Sequence, residues 1–487
     1  MSRRTNVIAV FLVCAAAFAA LWPALRAGFV NWDDAANLLA NFHYRGLGWT
    51  QLHWMLTTTF GGCYQPLAWL SYALDYSIWG LNPLGFHLTN LALHAIGAVL
   101  FYFAAARLLR AGAPEAGADR VSWAAAFAAL FFAVHPLRAE SVAWITERRD
   151  VLSGVFYLAC LLFYLRRELK ASLACFVLAL SAKASGAALP AVFLILDVYP
   201  LRRLSAGARG RLAPERRPVL LEKIPFLFFA AVFGAAAFAG QRASGALISL
   251  GRAGLAERFR QALVGLAFYP VKTFIPIHLS PLYEMPQGFR IPSIEVWTAG
   301  AFVLILSAVF WSLRKKWPAA LAAWACYLIL ILPLSGLFPL GRELAADRYS
   351  YLSCLPWAVL VGAATLAVSN RLGRAGQKIL FAGAAAFVCG LGILTWRQSE
   401  VWRSSKTLWG RVVALNPNSD VAHDGLGLAL AAEGKPAQAA AQYEAALAIN
   451  PGYAKAHNNL GDALAAQGQT ARAVAEYQDA IRLDPGL

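Results

Sequence analysis

The sequence predicts an all-α fold in which a polytopic helical membrane domain precedes a short solenoid of helical hairpins. Three observations support this prediction: the composition, a series of long apolar runs, and a 34-residue repeat near the C-terminus. Of the 487 residues, 59% are hydrophobic and 14% are charged, whereas a soluble domain is about 45–50% apolar and about 25% charged. We expect residues 1–398 to form the membrane domain, 399–415 a connecting or capping helix, and 416–487 the solenoid.

Apolar runs occupy most of the first 400 residues. They cover residues 7–25, 84–109, 121–134, 151–165, 173–198, 224–240, 259–277, 296–313, 317–334, 351–368 and 379–396. A helix needs about 20 apolar residues to cross a membrane. The run at 173–198 is interrupted at Lys183, which predicts two short helices that meet there. The run at 259–277 contains Pro270, Lys272 and Pro276, so we expect a re-entrant or interfacial segment.

The first run follows Arg3 and Arg4 and is longer than the core of a signal peptide, which is about 7–15 residues. We therefore expect an uncleaved helix that enters from the cytoplasm, with a cleaved signal as the alternative.

The charge distribution predicts the orientation. The net charge is +17, but residues 416–487 contain eight acids and four bases, so the positive excess lies in the preceding part. Cations cluster in the loops at 107–120, 166–170, 202–223, 314–316 and 371–378, and such loops face the cytoplasm. This predicts about 11 crossings of an inner membrane or its equivalent, with the C-terminus outside. The sequence has no basic patch with interleaved aromatic residues on a soluble domain, so it gives no indication of nucleic-acid binding.

The C-terminal segment repeats every 34 residues. The positions that recur are Pro417, Pro451 and Pro485, Ala422 and Ala456, Gly427 and Gly461, and Tyr443 and Tyr477. A 34-residue period with small residues, tyrosine and a terminal proline is the tetratricopeptide signature. Stable solenoids usually contain at least three repeats, and only two occur here. Residues 399–415 are therefore expected to supply a capping helix, or the array leans on the membrane domain.

Two adjacent carboxylates, Asp33 and Asp34, follow the first apolar run in a predicted external loop. A carboxylate at that place can accept a proton from a hydroxyl nucleophile, or it can help to hold a divalent cation. The alternative is structural, because Asp is also a favoured N-cap of a following helix.

Further ionisable residues lie at or near the predicted outer boundary: His87, His94, His135, Glu140, Arg148, Asp150, Lys183 and Arg348. Such groups are costly near a bilayer unless they face water, each other or a ligand. His87 and His94 share one helical face, but two histidines alone are a weak metal signal. Lys183 and Arg348 are candidates to neutralise a phosphate. The alternatives are a solvated loop with ion pairs, packed histidines, and snorkelling cations.

Several short motifs occur together in order: Trp32-Asp33-Asp34, Tyr64-Gln65-Pro66-Leu67, the stretch from Leu81 to Asn90, His135-Pro136 with Glu140, Arg148 with Asp150, and Asp347-Arg348 with Tyr351. With the C-terminal repeats, this set resembles the transmembrane and tetratricopeptide repeat-containing proteins of the GT-C class of glycosyltransferases. The resemblance covers nearly the whole chain.

The resemblance implies a membrane domain of GT-C type that transfers a sugar from a polyprenyl-phosphate carrier to a protein Ser or Thr hydroxyl outside the cytoplasm. It implies Asp33 and Asp34 as catalytic positions, with Asp33 favoured as the base. The other residues named above and Tyr351 are then expected to bind donor or substrate, and the repeats to bind the acceptor protein. A divalent cation is a possible cofactor.

Three other functions are open to this sequence. A membrane-anchored scaffold explains the repeats but not the ionisable external loops. An enzyme of the same class acting on lipid or glycan acceptors also fits. A transporter is disfavoured because inverted repeat halves are absent from the sequence pattern and the charges gather at one side.

Overall fold

The computed structural model describes residues 3–204, 217–249, 251, 253–286, 291–337 and 343–486. Most of the cationic loop predicted around residue 210 lies outside these ranges. The first 401 residues contain the helices α1 (Arg3–Leu21), α2 (Trp49–Thr57), α3 (Pro66–Trp79), α4 (Pro83–Gly112), α5 (Ala118–Ala133), α6 (Ala139–Ala143), α7 (Arg148–Leu165), α8 (Leu169–Ala182), α9 (Leu189–Val198), α10 (Arg217–Leu221), α11 (Ile224–Ala243), α12 (Leu255–Phe274), α13 (Ser293–Ser312), α14 (Pro318–Ile331), α15 (Ser350–Ser353), α16 (Leu355–Ser369) and α17 (Arg374–Val401). The remaining helices are α18 (Ser405–Leu415), α19 (Asp420–Ala432), α20 (Pro436–Ile449), α21 (Ala454–Ala466) and α22 (Thr470–Leu483).

The helices confirm the all-α class and a multi-pass membrane domain. By length and composition, five helices of the described chain can cross a membrane, and seven can if two bent pairs each count as one span. Three shorter apolar helical segments lie at 169–182, 184–198 and 318–334. The count of about 11 crossings and the orientation stay predictions. The interruption at Lys183 is confirmed, because α8 ends at Ala182 and Lys183 has extended backbone.

The core of the membrane domain is built from small residues. Helix α4 packs against α1, α5, α7 and α16, and alanines from these helices fill much of the buried cluster. Small side chains let helix backbones approach closely where lipid gives no hydrophobic driving force.

Two sharp bends bring polar segments into this core. Helix α5 and the segment Pro136–Ala143 meet at 56°, and the segment Asp347–Ser353 meets α16 at 57°. Backbone that is not regular helix is tolerated at membrane depth only where protein or a cavity surrounds it. In the described part of the chain, a short antiparallel ladder of β1 (Tyr283–Glu284) and β2 (Glu343–Ala345) precedes the second bend.

The last four helices form two hairpins, α19 with α20 and α21 with α22. A Cβ added at Gly427 would collide with the ring of Tyr443, and one at Gly461 would collide with Tyr477. The repeated glycine and tyrosine therefore pack against each other within each hairpin, which explains why they recur at the same offsets.

Helix α18 packs against the first repeat, and this part of the chain also contacts the first loop of the membrane domain. The Trp409 ring of α18 packs against Gly425 of α19 and stacks on Trp32 of the first loop at a centroid distance of 5.0 Å. Trp32 stacks on Trp402 as well and contacts Trp144. These contacts place α18 and the first loop beside the first repeat, while the domain bounds stay a prediction.

Candidate active site

The two adjacent aspartates have different environments. Asp34 is 1% exposed, and its carboxylate accepts hydrogen bonds from the Val30 amide at 3.1 Å, the Thr146 amide at 3.0 Å and the Thr146 hydroxyl at 2.6 Å. Burial raises the pKa of Asp34 to about 6, and these hydrogen bonds oppose the rise. Asp34 therefore fastens the first loop to the segment before α7, and its oxygens are occupied by protein donors.

The N-cap alternative for Asp34 is wrong. Asp34 precedes a single π-helical turn, Ala35–Leu39, but its side chain forms no cap hydrogen bond with that turn. The carboxylate points instead to residues far along the chain, because Thr146 offers two donors in one place.

Asp33 is partly exposed. Within the described ranges its carboxylate has neither a hydrogen bond nor an ion-pair partner. Burial raises the pKa of Asp33, nearby Arg149 and Arg348 lower it, and Glu147 and Glu343 raise it further, so that the pKa lies above the ordinary value. A carboxylate that is accessible, uncommitted and of raised pKa is suited to accept a proton.

Glu147 lies beside Asp33 and contacts three cations. The Glu147 carboxylate contacts Arg149, Lys183 at 2.9 Å and the Arg348 Nε at 3.6 Å. Burial raises the pKa of Glu147, but the cations outweigh burial and hold the pKa well below its ordinary value. Lys183 also binds Asp150 at 2.6 Å, which in turn accepts a hydrogen bond from the Ser141 hydroxyl.

Arg348 joins the second bend to the first. Its guanidinium binds Glu140 and Glu343, each at 2.5 Å, and its backbone amide donates to Glu140 at 2.9 Å. Glu343 lies on β2, which places it within reach of the bend. We call the following residues the charged cluster: Asp33, Glu140, Glu147, Arg149, Asp150, Lys183, Glu343 and Arg348.

The charged cluster overturns two of the alternatives. Glu140, Glu147, Asp150 and Arg348 are buried, and the side chains of Arg149 and Lys183 are only 15% and 17% exposed. A solvated external loop and snorkelling of Lys183 or Arg348 are therefore wrong, because both cations are ion-paired inside the protein.

Arg148 lies apart from the charged cluster. Its guanidinium donates to Asn90 at 2.7 Å and to the Phe86 carbonyl at 2.7 Å, and it pairs with Asp75. These partners lie on α3 and α4, so the buried guanidinium of Arg148 joins these helices to α7.

The three histidines do not converge on one point. His94 forms hydrogen bonds with the Tyr351 hydroxyl and the Ala133 carbonyl, both at 3.0 Å. His135 pairs with the Thr273 carbonyl at 2.9 Å and accepts from the Leu137 amide. His94, Tyr351 and His135 thus connect α4, the bends and α12.

His87 is 1% exposed on α4 and lies beside the backbone of Ala27 and Gly28.

Among the described residues, the one group of three ligand atoms close enough to share a metal ion is His457, Glu476 and Asp479, in the last repeat. A divalent cation at the charged cluster stays a prediction.

Sequence reasoning did not select Glu147, Arg149 or Glu343, which are central to the charged cluster. Glu147 and Arg149 flank Arg148 in the chain, and the density of charge there was the available signal. Successive helical residues point in directions about 100° apart, so choosing between Arg148 and Arg149 requires the packing of α3 and α4.

Comparison with known proteins finds one repeat family and a group of similar transferases. A family model described as "Tetratricopeptide repeat" matches residues 425–487, which confirms the repeats. Protein O-mannosyl-transferase Tmtc1 of Drosophila melanogaster is 36% identical over 167 residues, which are 32% of this chain and 18% of that protein. Protein O-mannosyl-transferase TMTC3 of Homo sapiens is 30% identical over 173 residues, 34% of this chain and 17% of that protein.

Protein O-mannosyl-transferase Tmtc2 of Drosophila melanogaster is 35% identical over 162 residues, 31% of this chain and 16% of that protein. The resemblance to the transmembrane and tetratricopeptide repeat-containing proteins is thus confirmed over about a third of the chain. The match spans less than a fifth of the length of each of these relatives.

Proposed function

We propose that this chain is a glycosyltransferase of GT-C type that moves a sugar from a polyprenyl-phosphate donor to a Ser or Thr hydroxyl of a protein, on the extracytoplasmic side of the membrane. The observation that carries the proposal is the uncommitted, partly exposed carboxylate of Asp33 beside the cations Arg149 and Arg348. The similar proteins are named protein O-mannosyl-transferases, which agrees with this class of reaction.

Asp33 is the base in this proposal. The acceptor hydroxyl gives its proton to the Asp33 carboxylate while its oxygen forms a bond to the anomeric carbon of the sugar. The bond between that carbon and the phosphate oxygen breaks, and polyprenyl phosphate leaves with the electron pair. Attack opposite the leaving group inverts the anomeric centre. General base catalysis of this kind contributes about 10²–10⁴ in rate.

Arg348, Arg149 and Lys183 are the cations available to the departing phosphate. All three contact Glu147, so one buried carboxylate keeps them side by side before the donor binds. Cations fixed in advance at the place where negative charge develops stabilise a transition state without reorganisation. Arg148, His94, His135 and Tyr351 are not assigned to the donor, because their contacts within the protein explain their positions. His87, whose buried ring nitrogens form no hydrogen bond with the described residues, stays a candidate to bind donor or substrate.

The repeats are the proposed binding surface for the acceptor protein. Solenoids of this kind present an extended concave surface to their ligands. Helix α19 of the first repeat contacts the loop that carries Asp33, since the Gly425 carbonyl accepts a hydrogen bond from the Asn31 side chain at 3.1 Å. A polypeptide on the repeats would therefore lie close to the proposed base.

The proposal is tested with the full chain reconstituted in liposomes. A panel of radiolabelled polyprenyl-phosphate sugars is supplied with peptides that contain Ser or Thr, and with matched peptides in which Ala replaces these residues. The proposal predicts that one donor labels the hydroxyl peptides and leaves the Ala peptides unlabelled, with release of polyprenyl phosphate. Labelling of lipid or glycan acceptors alone, or no transfer with any donor, would contradict it.

A further inference from the structure

A large cavity lies in the membrane domain, apart from the charged cluster. Its volume is about 370 Å³, within the range of about 300–1,000 Å³ that is typical of ligand pockets. Helices α4, α7, α9, α14 and α16 line it, almost entirely with apolar side chains such as Leu108, Leu161 and Val359. An apolar cavity of this size inside a membrane protein suits a hydrocarbon chain.

Cationic and polar residues stand at one end of the cavity. Arg202, Lys316 and Asn370 belong to its lining, and Arg202 and Lys316 are exposed. A hydrocarbon chain needs none of these groups, whereas a negatively charged headgroup at the end of such a chain is attracted by two cations.

This cationic end lies far from the charged cluster. Helix α7 begins at Arg148, and Leu161 follows thirteen positions later; α16 follows Arg348, and Asn370 lies just after its end. At about 1.5 Å of rise per helical residue, these distances are roughly 20–30 Å. The hydrocarbon core of a bilayer is about 30 Å thick, so the cationic end lies near the opposite membrane boundary.

We infer that this cavity binds the acyl chain of a membrane phospholipid whose anionic headgroup contacts Arg202 and Lys316. The two cations account for the anionic headgroup, and the apolar lining accounts for the acyl chain. A donor with its phosphate at Arg202 and Lys316 would hold its sugar far from Asp33, so the polyprenyl donor does not satisfy both ends of the cavity. The inference is independent of the proposed function, because it concerns the opposite end of the helical bundle.

Native mass spectrometry of the purified full chain tests this inference. The protein is taken from nanodiscs of equal parts phosphatidylglycerol and phosphatidylcholine, and the lipid that remains bound is identified. We expect phosphatidylglycerol to be retained in preference. Each cation near a membrane surface contributes about a fivefold preference for anionic lipid, so the double variant Arg202→Gln, Lys316→Ala should lose roughly 25-fold in affinity.

The matched control is the double variant Arg314→Gln, Lys315→Ala, which removes two neighbouring cations that do not line the cavity. A second test variant, Ala322→Phe, fills the cavity without changing charge, and Ala301→Phe on the exposed face of α13 is its control. Both test variants should lose the lipid and both controls should keep it. The inference would be overturned if the two phospholipids were retained equally, or if the controls lost the lipid to the same extent. It would also be overturned if the protein strongly preferred added undecaprenyl phosphate and the cation variants did not change that preference.

Discussion

The side-chain carbonyl of Asn31 accepts a hydrogen bond from the indole Nε1 of Trp409 at 2.7 Å. Asn31 also donates from its side chain to the Gly425 carbonyl and from its backbone amide to the Ser405 hydroxyl at 2.9 Å. Asn31 therefore ties the connecting helix and the first repeat to the loop two residues before Asp33. The position of the proposed base depends on contacts with the C-terminal helices.

Replacing Asn31 with Ala should loosen the docking of α18 and α19. The change removes the hydrogen bonds that the Asn31 side chain makes with the Trp409 indole and the Gly425 carbonyl, and each buried hydrogen bond contributes about 1 kcal/mol. We expect roughly a 5- to 30-fold increase in amide hydrogen exchange in α18 and α19, with α21 and α22 unchanged. Hydrogen exchange with mass spectrometry measures this. Asn37→Ala in the same loop is the control, and equal exchange in both variants would show that Asn31 does not fix the repeats.

Lys183 should be required for stability because of its pairing with buried carboxylates. Lys183→Met leaves Asp150 without its ion-pair partner, and breaking a buried pair from one side costs about 3–5 kcal/mol. The double variant Lys183→Met, Asp150→Asn removes both charges, while Glu147 keeps Arg149. We therefore expect thermal unfolding in detergent to show a marked decrease in Tm for the single variant and a substantial recovery for the double variant.

The control for this pair is Lys406→Met. Lys406 pairs with Glu433 at the surface, where both side chains are well exposed, and such pairs contribute about 0–1 kcal/mol. If Lys183→Met behaved like Lys406→Met, or if the double variant were less stable than the single one, the pairing of Lys183 with Asp150 would not be stabilising.

Asp34 should make stability depend on pH. Its folded pKa of about 6 exceeds the ordinary value of about 3.9, so folding favours its protonated form. This contribution is fully present below about pH 4 and is lost as the pH rises through 6, with a total of about 3 kcal/mol. The Tm of the natural protein should therefore rise relative to that of Asp34→Asn as the pH falls from 7.5 to 4.5. If the Tm difference between the two proteins stayed constant over this pH range, or changed in the other direction, the raised pKa of Asp34 would be refuted.

The rate of sugar transfer should fall in acid as Asp33 gains a proton. Because the pKa of Asp33 is raised, the midpoint of this decrease should lie above pH 3.9. Arg149 lowers that pKa, so Arg149→Gln should move the midpoint upward by about one pH unit. Arg26→Gln, an exposed cation that does not influence Asp33, should leave it in place. The initial rate between pH 4 and 8 provides the measurement, and a midpoint unaffected by Arg149→Gln would argue against Asp33 as the titrating group.

The helices and repeats could be predicted because their signals are local. The interruption at Lys183 appears in the sequence as a polar break in an apolar run, and the pairing of Gly427 with Tyr443 appears as a shared offset in two repeats. Period and composition determine both, without knowledge of distant contacts.

The partners within the candidate site could not be predicted, because they depend on long-range packing. Asp33 and Asp34 are adjacent and identical in type, and what distinguishes them is the position of the donors to Asp34, above all Thr146, 112 residues away. Glu343 reaches Arg348 through the turn that follows β2. The sequence showed that charges gather near one boundary but not which of them pair.

The most direct test of the account is the rate of sugar transfer by Asp33→Asn in reconstituted liposomes. Asn preserves the size of the side chain but cannot accept the proton, so we predict a decrease of at least about 100-fold with an unchanged Tm. Glu115→Gln, a matched change at an exposed acid in another loop, should keep the natural rate. Transfer by Asp33→Asn within a few-fold of the natural rate would contradict the central claim.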